Sequence, residues 1–148
     1  QVGGARFAPN ICYESTVPHL IANQVRTLRD QGNEPDVLVN LTNDGWFWGS
    51  AELDMHLACG VFRAIECRKP FLIAANTGFS ASIDSSGRIL AQGKRRATDI
   101  IIAAPQLDRR QSWYLALGDW PASACLACCG MLAVVGIRQR RSERGCIS

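Results

Sequence analysis

The stretch "DVLVNLTNDGWFWGS", residues 36–50, decides the fold. Its opening "DVLVNL" is a near-continuous apolar run of strand length. Such a run predicts a strand buried on both faces, as in a parallel sheet covered by helices. The remainder, "TNDGWFWGS", is rich in Asn, Asp and Gly, which predicts a loop, and it carries two Trp and one Phe.

A helix pattern lies on either side. Upstream, "STVPHLIANQVRTLRDQG" (15–32) places Val17, Leu20, Ile21, Val25 and Leu28 at helical spacing. Ser15 or Thr16 suits its cap, Pro18 its first turn and Gly32 its end. Before it, "VGGARFAPNICYE" (2–14) predicts a short strand running into a tight connection. Downstream, "AELDMHLACGVFRAIECRK" (51–69) carries Leu53, Leu57, Val61, Ala64 and Ile65 on one stripe, and Pro70 follows. The period then changes. "FLIAAN" (71–76), "SASID" (80–84), "GRILAQG" (87–93) and "DIIIAA" (99–104) predict strands, with "DSSGR" (84–88) as a hairpin turn. Strand, helix, strand, helix and then several strands predict a layered α/β domain.

The 148 residues are enough for one domain with a core. Hydrophobic residues make up 47% and charged residues 20%, an apolar balance that points to membrane exposure. The net charge of +3 is small, and the basic residues are scattered apart from "GKRR" (93–96) and "RQRRSER" (138–144). No continuous basic face is evident, so nucleic-acid binding is disfavoured. The chain opens on Gln1 without a signal-peptide pattern and is read as part of a longer protein.

From Trp113 the composition shifts. Trp120–Ile137 is 18 residues without a charge. As a helix it would span roughly 27 Å, near the ~30 Å hydrocarbon core of a bilayer. Asp119 suits its cap, Pro121 its first turn, and Trp113, Tyr114 and Trp120 lie where interfacial aromatics belong. The basic tail predicts a cytoplasmic carboxyl end, with Arg109 and Arg110 weighing against it on the other flank. The expected organisation is a folded domain over 1–111, a juxtamembrane segment and membrane helix over 112–137, and a basic tail over 138–148.

The seven cysteines stand at 12, 59, 67, 125, 128, 129 and 146, without the spacing of a disulfide framework. Cys59 and Cys67 are roughly 12 Å apart along a helix, too far for a bond within it. Cys125 and Cys128 form a C-x-x-C inside the apolar span, where small residues serve helix packing, and no metal site is expected. Cys12 is placed differently, where a strand ends and a helix is about to begin. There backbone N–H groups stabilise a thiolate and can bind an oxyanion. Glu14, two residues on, faces the same way if the backbone stays extended. Position alone leaves Cys12 open between a nucleophile and a buried structural cysteine. His19 and His56, both on helices, read as structural or surface histidines.

Taken together, "ICYE" (11–14), "LVNLTNDGWFWGS" (38–50), "MHLACGVFRAIECRKP" (55–70) and "IAANTGFSASIDSSGRI" (73–89) resemble the carbon–nitrogen hydrolase (nitrilase) superfamily. The resemblance is closest to its membrane branch, the apolipoprotein N-acyltransferases, because "GDWP" (118–121) also precedes an apolar helix there. The resemblance implies an α-β-β-α sandwich of which this chain is the C-terminal half, followed by one transmembrane helix. It implies a Glu–Lys–Cys triad without a cofactor, in which the cysteine takes an acyl chain from a phospholipid as a thioester. The chain then passes to the N-terminal cysteine amine of a diacylated lipoprotein. Cys12 matches the nucleophile, and Tyr13 and Glu14 match its supporting neighbours. Trp46, Phe47 and Trp48 match the substrate-side loop, although Trp48 stands where Gly is usual. Asn43, Asp44, Asn76 and Thr77 fall in matching motifs as architectural residues.

The implied location is the bacterial inner membrane, with the catalytic domain on the extracytoplasmic side. The triad's Glu and Lys fall upstream of Cys12 in the resemblance. Lys69 and Lys94 match neither position, and Lys69 reads as a helix-end charge. The chain alone is therefore expected to be inactive. Two alternatives stand beside this: a soluble amidase or nitrilase, and a non-catalytic membrane-tethered module.

Overall fold

The computed structural model describes residues 3–47 and 50–145, with side chains up to residue 139. Five strands form one sheet in chain order: β1 (Phe7–Ile11), β2 (Val37–Thr42), β3 (Phe71–Ala75), β4 (Ala81–Ile83) and β5 (Ile89–Gln92). β1, β2 and β3 pair in parallel, and β3, β4 and β5 form an antiparallel meander. The parallel strands are joined by α1 (Pro18–Asp30) and α2 (Glu52–Cys67). The carboxyl ends of β1, β2 and β3 therefore share one edge of the sheet, to which β4's start and β5's end also return.

Both helices pack on the same face. α1 buries Ile21, Ala22 and Val25, and α2 buries Leu53, Ala64 and Cys67. They meet Ala8, Leu38, Phe71, Ile73, Ala81 and Ile83 from the sheet in one core. Each fully buried large side chain of this set stabilises the fold by roughly 1.5–3 kcal/mol. The "DSSGR" hairpin forms as expected: Asp84 Oδ1 accepts from the N–H groups of Ser86 and Arg88, and Gly87 takes φ +85°. A short helix α3 (Trp113–Leu117) returns to the core through Leu115, whose carbonyl accepts from Arg26 Nε at 2.8 Å.

Several expectations are corrected. β2 is not buried on both faces: Leu41 is exposed, and Phe7 and Ile11 beside it are exposed on the same helix-free face. The apolar run located the strand but not what covers it. The run 99–104 is not a strand. Ile101 and Ala103 line a groove with Val39 and Leu72, so the segment crosses the sheet face, where it finds no ladder partner among the described residues, and Ile100 and Ile102 are 84% and 96% exposed. α1 is capped by Val17 with no side-chain bond, because Ser15 and Thr16 belong to a separate 3₁₀ turn, Cys12–Thr16.

The chain divides into two compact units, Gln1–Leu115 and Ala116–Ser148. The second holds α4 (Trp120–Gly145), in which Trp120–Gln139 is long and apolar enough to cross a membrane. Its first turn is tied by the Ser123 N–H to the Asp119 carbonyl at 3.0 Å, a backbone bond in place of the expected side-chain cap.

Candidate active site at the carboxyl edge of the sheet

Cys12 is the first residue past β1 and adopts φ +49°, a left-handed conformation that costs a non-glycine residue about 1–2 kcal/mol. Such strain persists only where surrounding contacts over-determine it. Here three side chains converge on the Cys12 carbonyl. Asn40 Nδ2 donates to it at 2.9 Å, Ser15 Oγ donates at 3.2 Å, and His56 Nε2 lies 3.2 Å away. Asn40 reaches it from the middle of β2 and also donates to Asn10 Oδ1 at 2.6 Å, both amides being fully buried.

His56 is held in turn. Its Nδ1 is 2.9 Å from Asp44 Oδ1, which also accepts from Thr42 Oγ1 at 2.6 Å. As a carboxylate Asp44 only accepts, so Nδ1 carries a proton towards it; Nε2 lies 2.8 Å from Ser15 Oγ, whose single proton goes either to it or to the Cys12 carbonyl. Asp44 is packed against the backbone of Gly78, where an added Cβ would stand 2.0 Å from Asp44 Oδ2. The chain Gly78–Asp44–His56–Cys12 thus links the ends of β1, β2 and β3 through α2. From sequence His56 read as a structural or surface histidine, and it is structural. Its contact with the backbone of Cys12 spans 44 residues, and no local pattern announces it.

The neighbours of Cys12 diverge. The 3₁₀ turn replaces the extended backbone assumed for residues 12–14. Glu14 therefore folds back, its Oε2 accepting from the Ile11 N–H at 2.6 Å. It lines a cavity of about 260 Å³ with Asn10, Leu20 and Gln24. Tyr13 opens on another side, into an apolar cleft of about 250 Å³ with Phe47, Met55, His56 and Cys59. Phe47 is the one loop aromatic placed there; Trp46 is 84% exposed, and Trp48 lies outside the described residues. The helix expected soon after Cys12, with Ser15 or Thr16 as its cap, starts at Pro18.

The other candidates are architectural. Asn43 Oδ1 accepts from Asn76 Nδ2 at 3.0 Å and from the Gly45 N–H at 3.2 Å, bracing the loop that carries Trp46 and Phe47. Lys69 is not a solvated helix-end charge. It is buried and pairs with Glu34 at 3.0 Å, beside Arg29. Burial raises the Glu34 carboxyl, but these two cations outweigh it and leave the group below its ordinary value. Cys67 is a core filler whose thiol burial pushes up to about 12. Cys12 and Cys59 are half-exposed.

Residues 1–115 match the carbon–nitrogen hydrolase family. The chain is 40% identical over 124 residues to an apolipoprotein N-acyltransferase from Rhodopirellula baltica, covering 82% of this chain and 22% of that protein. It is 34% identical over 140 residues to one from Geobacter metallireducens, covering 95% of this chain and 26% of that protein. It thus spans about a quarter of the length of these relatives. The fold is similar to a carbon–nitrogen hydrolase superfamily protein from Xanthomonas campestris, with a TM-score of 0.56 and 20% identity, over 86% of this chain and 48% of that one. It is also similar to a carbon–nitrogen hydrolase from Helicobacter pylori, with a TM-score of 0.55 and 10% identity, over 65% of this chain and 39% of that one.

Proposed function

This chain belongs to the carbon–nitrogen hydrolase family, and from that premise we propose that it is the C-terminal part of a membrane-bound N-acyltransferase whose nucleophile is Cys12. The observation that carries the proposal is the strained backbone of Cys12 at φ +49°, its carbonyl held by Asn40 and Ser15 with the His56 ring packed beside it. A side chain lifted out of line at a strand end, with its carbonyl tied down behind it, is presented for attack.

In the first step the Cys12 thiolate attacks the ester carbonyl of a phospholipid. The C–S bond forms, the ester C–O bond breaks, and the lysophospholipid alkoxide leaves with a proton. In the second, the amine of a diacylated lipoprotein's N-terminal cysteine attacks the thioester. The C–N bond forms, the C–S bond breaks, and the amine proton returns to the medium or the thiolate. The apolar cleft beside Tyr13 and Phe47 suits the acyl chain. Glu14 braces the turn through the Ile11 N–H, and exposed Trp46 and the neighbouring Trp48 belong to the substrate-side loop.

The Glu and Lys that the family resemblance implies are supplied from outside this chain, so residues 1–148 alone are inactive. α4 anchors the protein in the bacterial inner membrane with its basic end cytoplasmic and the catalytic unit on the extracytoplasmic side.

The test is mass spectrometry of the full-length protein given phospholipid. The peptide containing Cys12 carries an acyl mass that hydroxylamine removes and that Cys12→Ala lacks. An acyl mass confined to Cys125, Cys128 or Cys129 overturns the proposal. Amide hydrolysis without any acyl transfer would support a nitrilase-type reaction in its place.

A further inference from the structure

We propose that the cavity beside Glu14 is the subsite for the acceptor's free amino end, an α-ammonium with the carbonyl next to it. This rests on the reading of Cys12 as the nucleophile and names where the second substrate is held.

The cavity has a volume of about 260 Å³ and lies between the end of β1 and α1. Asn10 on β1, Glu14 on the Cys12–Thr16 turn, and Leu20, Ile21, Gln24 and Thr27 on α1 line it. Glu14 is the one charged residue in its lining. Its Oε2 accepts from the Ile11 N–H at 2.6 Å, and its Oε1 has no partner among the described residues. Arg26, between Gln24 and Thr27 in sequence, is engaged elsewhere, donating to the Tyr114 and Leu115 carbonyls and to Asn23 Oδ1. Two further atoms of lining residues are buried without a partner among the described residues, Asn10 Nδ2 and Gln24 Oε1. Asn10 is only 2% exposed, and its Oδ1 is already taken by Asn40 Nδ2 at 2.6 Å. Buried polar groups are nearly always hydrogen-bonded, so each of these two calls for a group seated in the cavity. What the site offers is a carboxylate oxygen, an amide oxygen and one N–H donor. An ammonium answers the two acceptors, and a carbonyl oxygen answers the donor. An N-terminal aminoacyl group carries both on one α-carbon.

The edge of β1 is closed to a further strand at this point. Pro9 has no N–H, its carbonyl accepts from Gln24 Nε2 at 2.9 Å, and the Ile11 N–H is the one that Glu14 takes. The two side chains that close the edge are the two that give the cavity its acceptors. They also fix its distance from the chemistry. The Glu14 carboxylate is bound to the N–H of the residue directly before Cys12, and consecutive Cα atoms are about 3.8 Å apart. The Cys12–Thr16 turn gives a wall to each cavity, Glu14 to this one and Tyr13 and Thr16 to the apolar cleft. An acyl chain in the cleft and an amine at Glu14 therefore approach Cys12 from different sides. The ammonium gives one proton to the medium, and the neutral amine attacks the Cys12 thioester. The C–N bond forms, the C–S bond breaks, and a second amine proton returns to the sulfur.

The experiment uses the full-length protein in detergent and a synthetic S-diacylglyceryl-cysteinyl pentapeptide with a free amine, and reads Cys12 acylation and acyl transfer separately by mass. In Glu14→Gln, whose amide oxygen still accepts from the Ile11 N–H, KM for the peptide in the transfer step rises about tenfold. Gln24→Met keeps the carboxylate and raises KM in the same direction, and it serves if Glu14→Gln fails to fold. An unchanged KM in the folded variants overturns the proposal. Equal slowing of Cys12 acylation and of transfer marks Glu14 as a brace of the turn and overturns it too. A loss confined to phosphatidylethanolamine as donor, with phosphatidylglycerol spared, puts a lipid ammonium in the cavity and overturns the acceptor assignment. Binding is followed in Cys12→Ala by fluorescence anisotropy, with the peptide and its N-acetylated form. A preference of about tenfold for the free amine, abolished by adding Glu14→Gln, supports the subsite even if Cys12 never carries an acyl group, an outcome that would defeat the functional reading alone. Equal binding of the two peptides overturns the subsite.

Discussion

His56 bridges Cys12 and Asp44: one ring nitrogen is 3.2 Å from the Cys12 carbonyl and the other 2.9 Å from the Asp44 carboxylate. His56→Ala removes both contacts and leaves a buried carboxylate without its ring partner. The expected loss is about 2–4 kcal/mol of stability, measured by thermal unfolding in detergent. His56→Gln recovers part of it. The alkylation rate of Cys12 changes in both variants, whereas that of buried Cys67, which does not line the cleft with His56, stays slow.

Gly78 answers to Asp44. An alanine there places its Cβ 2.0 Å from Asp44 Oδ2, a contact that neither backbone nor carboxylate can accept unmoved. Gly78→Ala should destabilise by about 1–3 kcal/mol, the usual range for overpacking. Asp44→Ser alone also destabilises, by freeing His56 and Thr42. The double variant loses less than the sum of the two, because the serine leaves room for the methyl group. A double-mutant cycle reads the coupling; additive losses would contradict the packing.

Acid should weaken the fold through Glu34. Its carboxyl lies below its ordinary value when folded, because Lys69 and Arg29 outweigh the effect of burial. Its contribution is therefore present above the unfolded value of about 4.3 and is lost as pH falls through the folded value. Asp108 acts in the same direction, held low chiefly by Arg110. Glu34→Gln should flatten the acid limb of a stability-versus-pH curve while leaving buried Lys69 without its carboxylate partner at neutral pH.

The cysteines of the α/β unit should separate by reactivity. Burial holds the Cys67 thiol up to about 12, so almost no thiolate forms at pH 8. Half-exposed Cys12 and Cys59 should be carbamidomethylated by iodoacetamide at least about tenfold faster, and Cys67 only on unfolding. Peptide mass mapping over time gives the order.

What the sequence made legible was local. β2, α1, α2, the β3 to β5 meander and the Asp84 hairpin all follow from residue period and turn chemistry, which are properties of neighbours. The position of Cys12 at a strand end followed too. Long-range closure was not legible. His56 and Asn40 reach Cys12 across 44 and 28 residues, and Lys69, between α2 and β3, reaches Glu34, between α1 and β2. Glu14 was misplaced for a local reason: three residues of 3₁₀ turn reverse a side chain that extended backbone would aim forward. Residues 99–104 read as a strand because a short run of β-branched residues records local preference and is silent on whether a neighbour supplies hydrogen bonds.

The strand order, which runs β1 to β5 without a single exchange, carries a kinetic consequence. Every ladder joins segments adjacent along the polypeptide, so no strand has to wait for a distant one before it can pair. Contact order is low for a sheet with parallel members, and low contact order favours rapid folding. The unit can zip from its amino end as it leaves the ribosome, each helix laid down before the next strand arrives. Cys12, held first by Ser15 and Asn40, gains the His56 contact when α2 is laid down, before β3 to β5 complete the sheet.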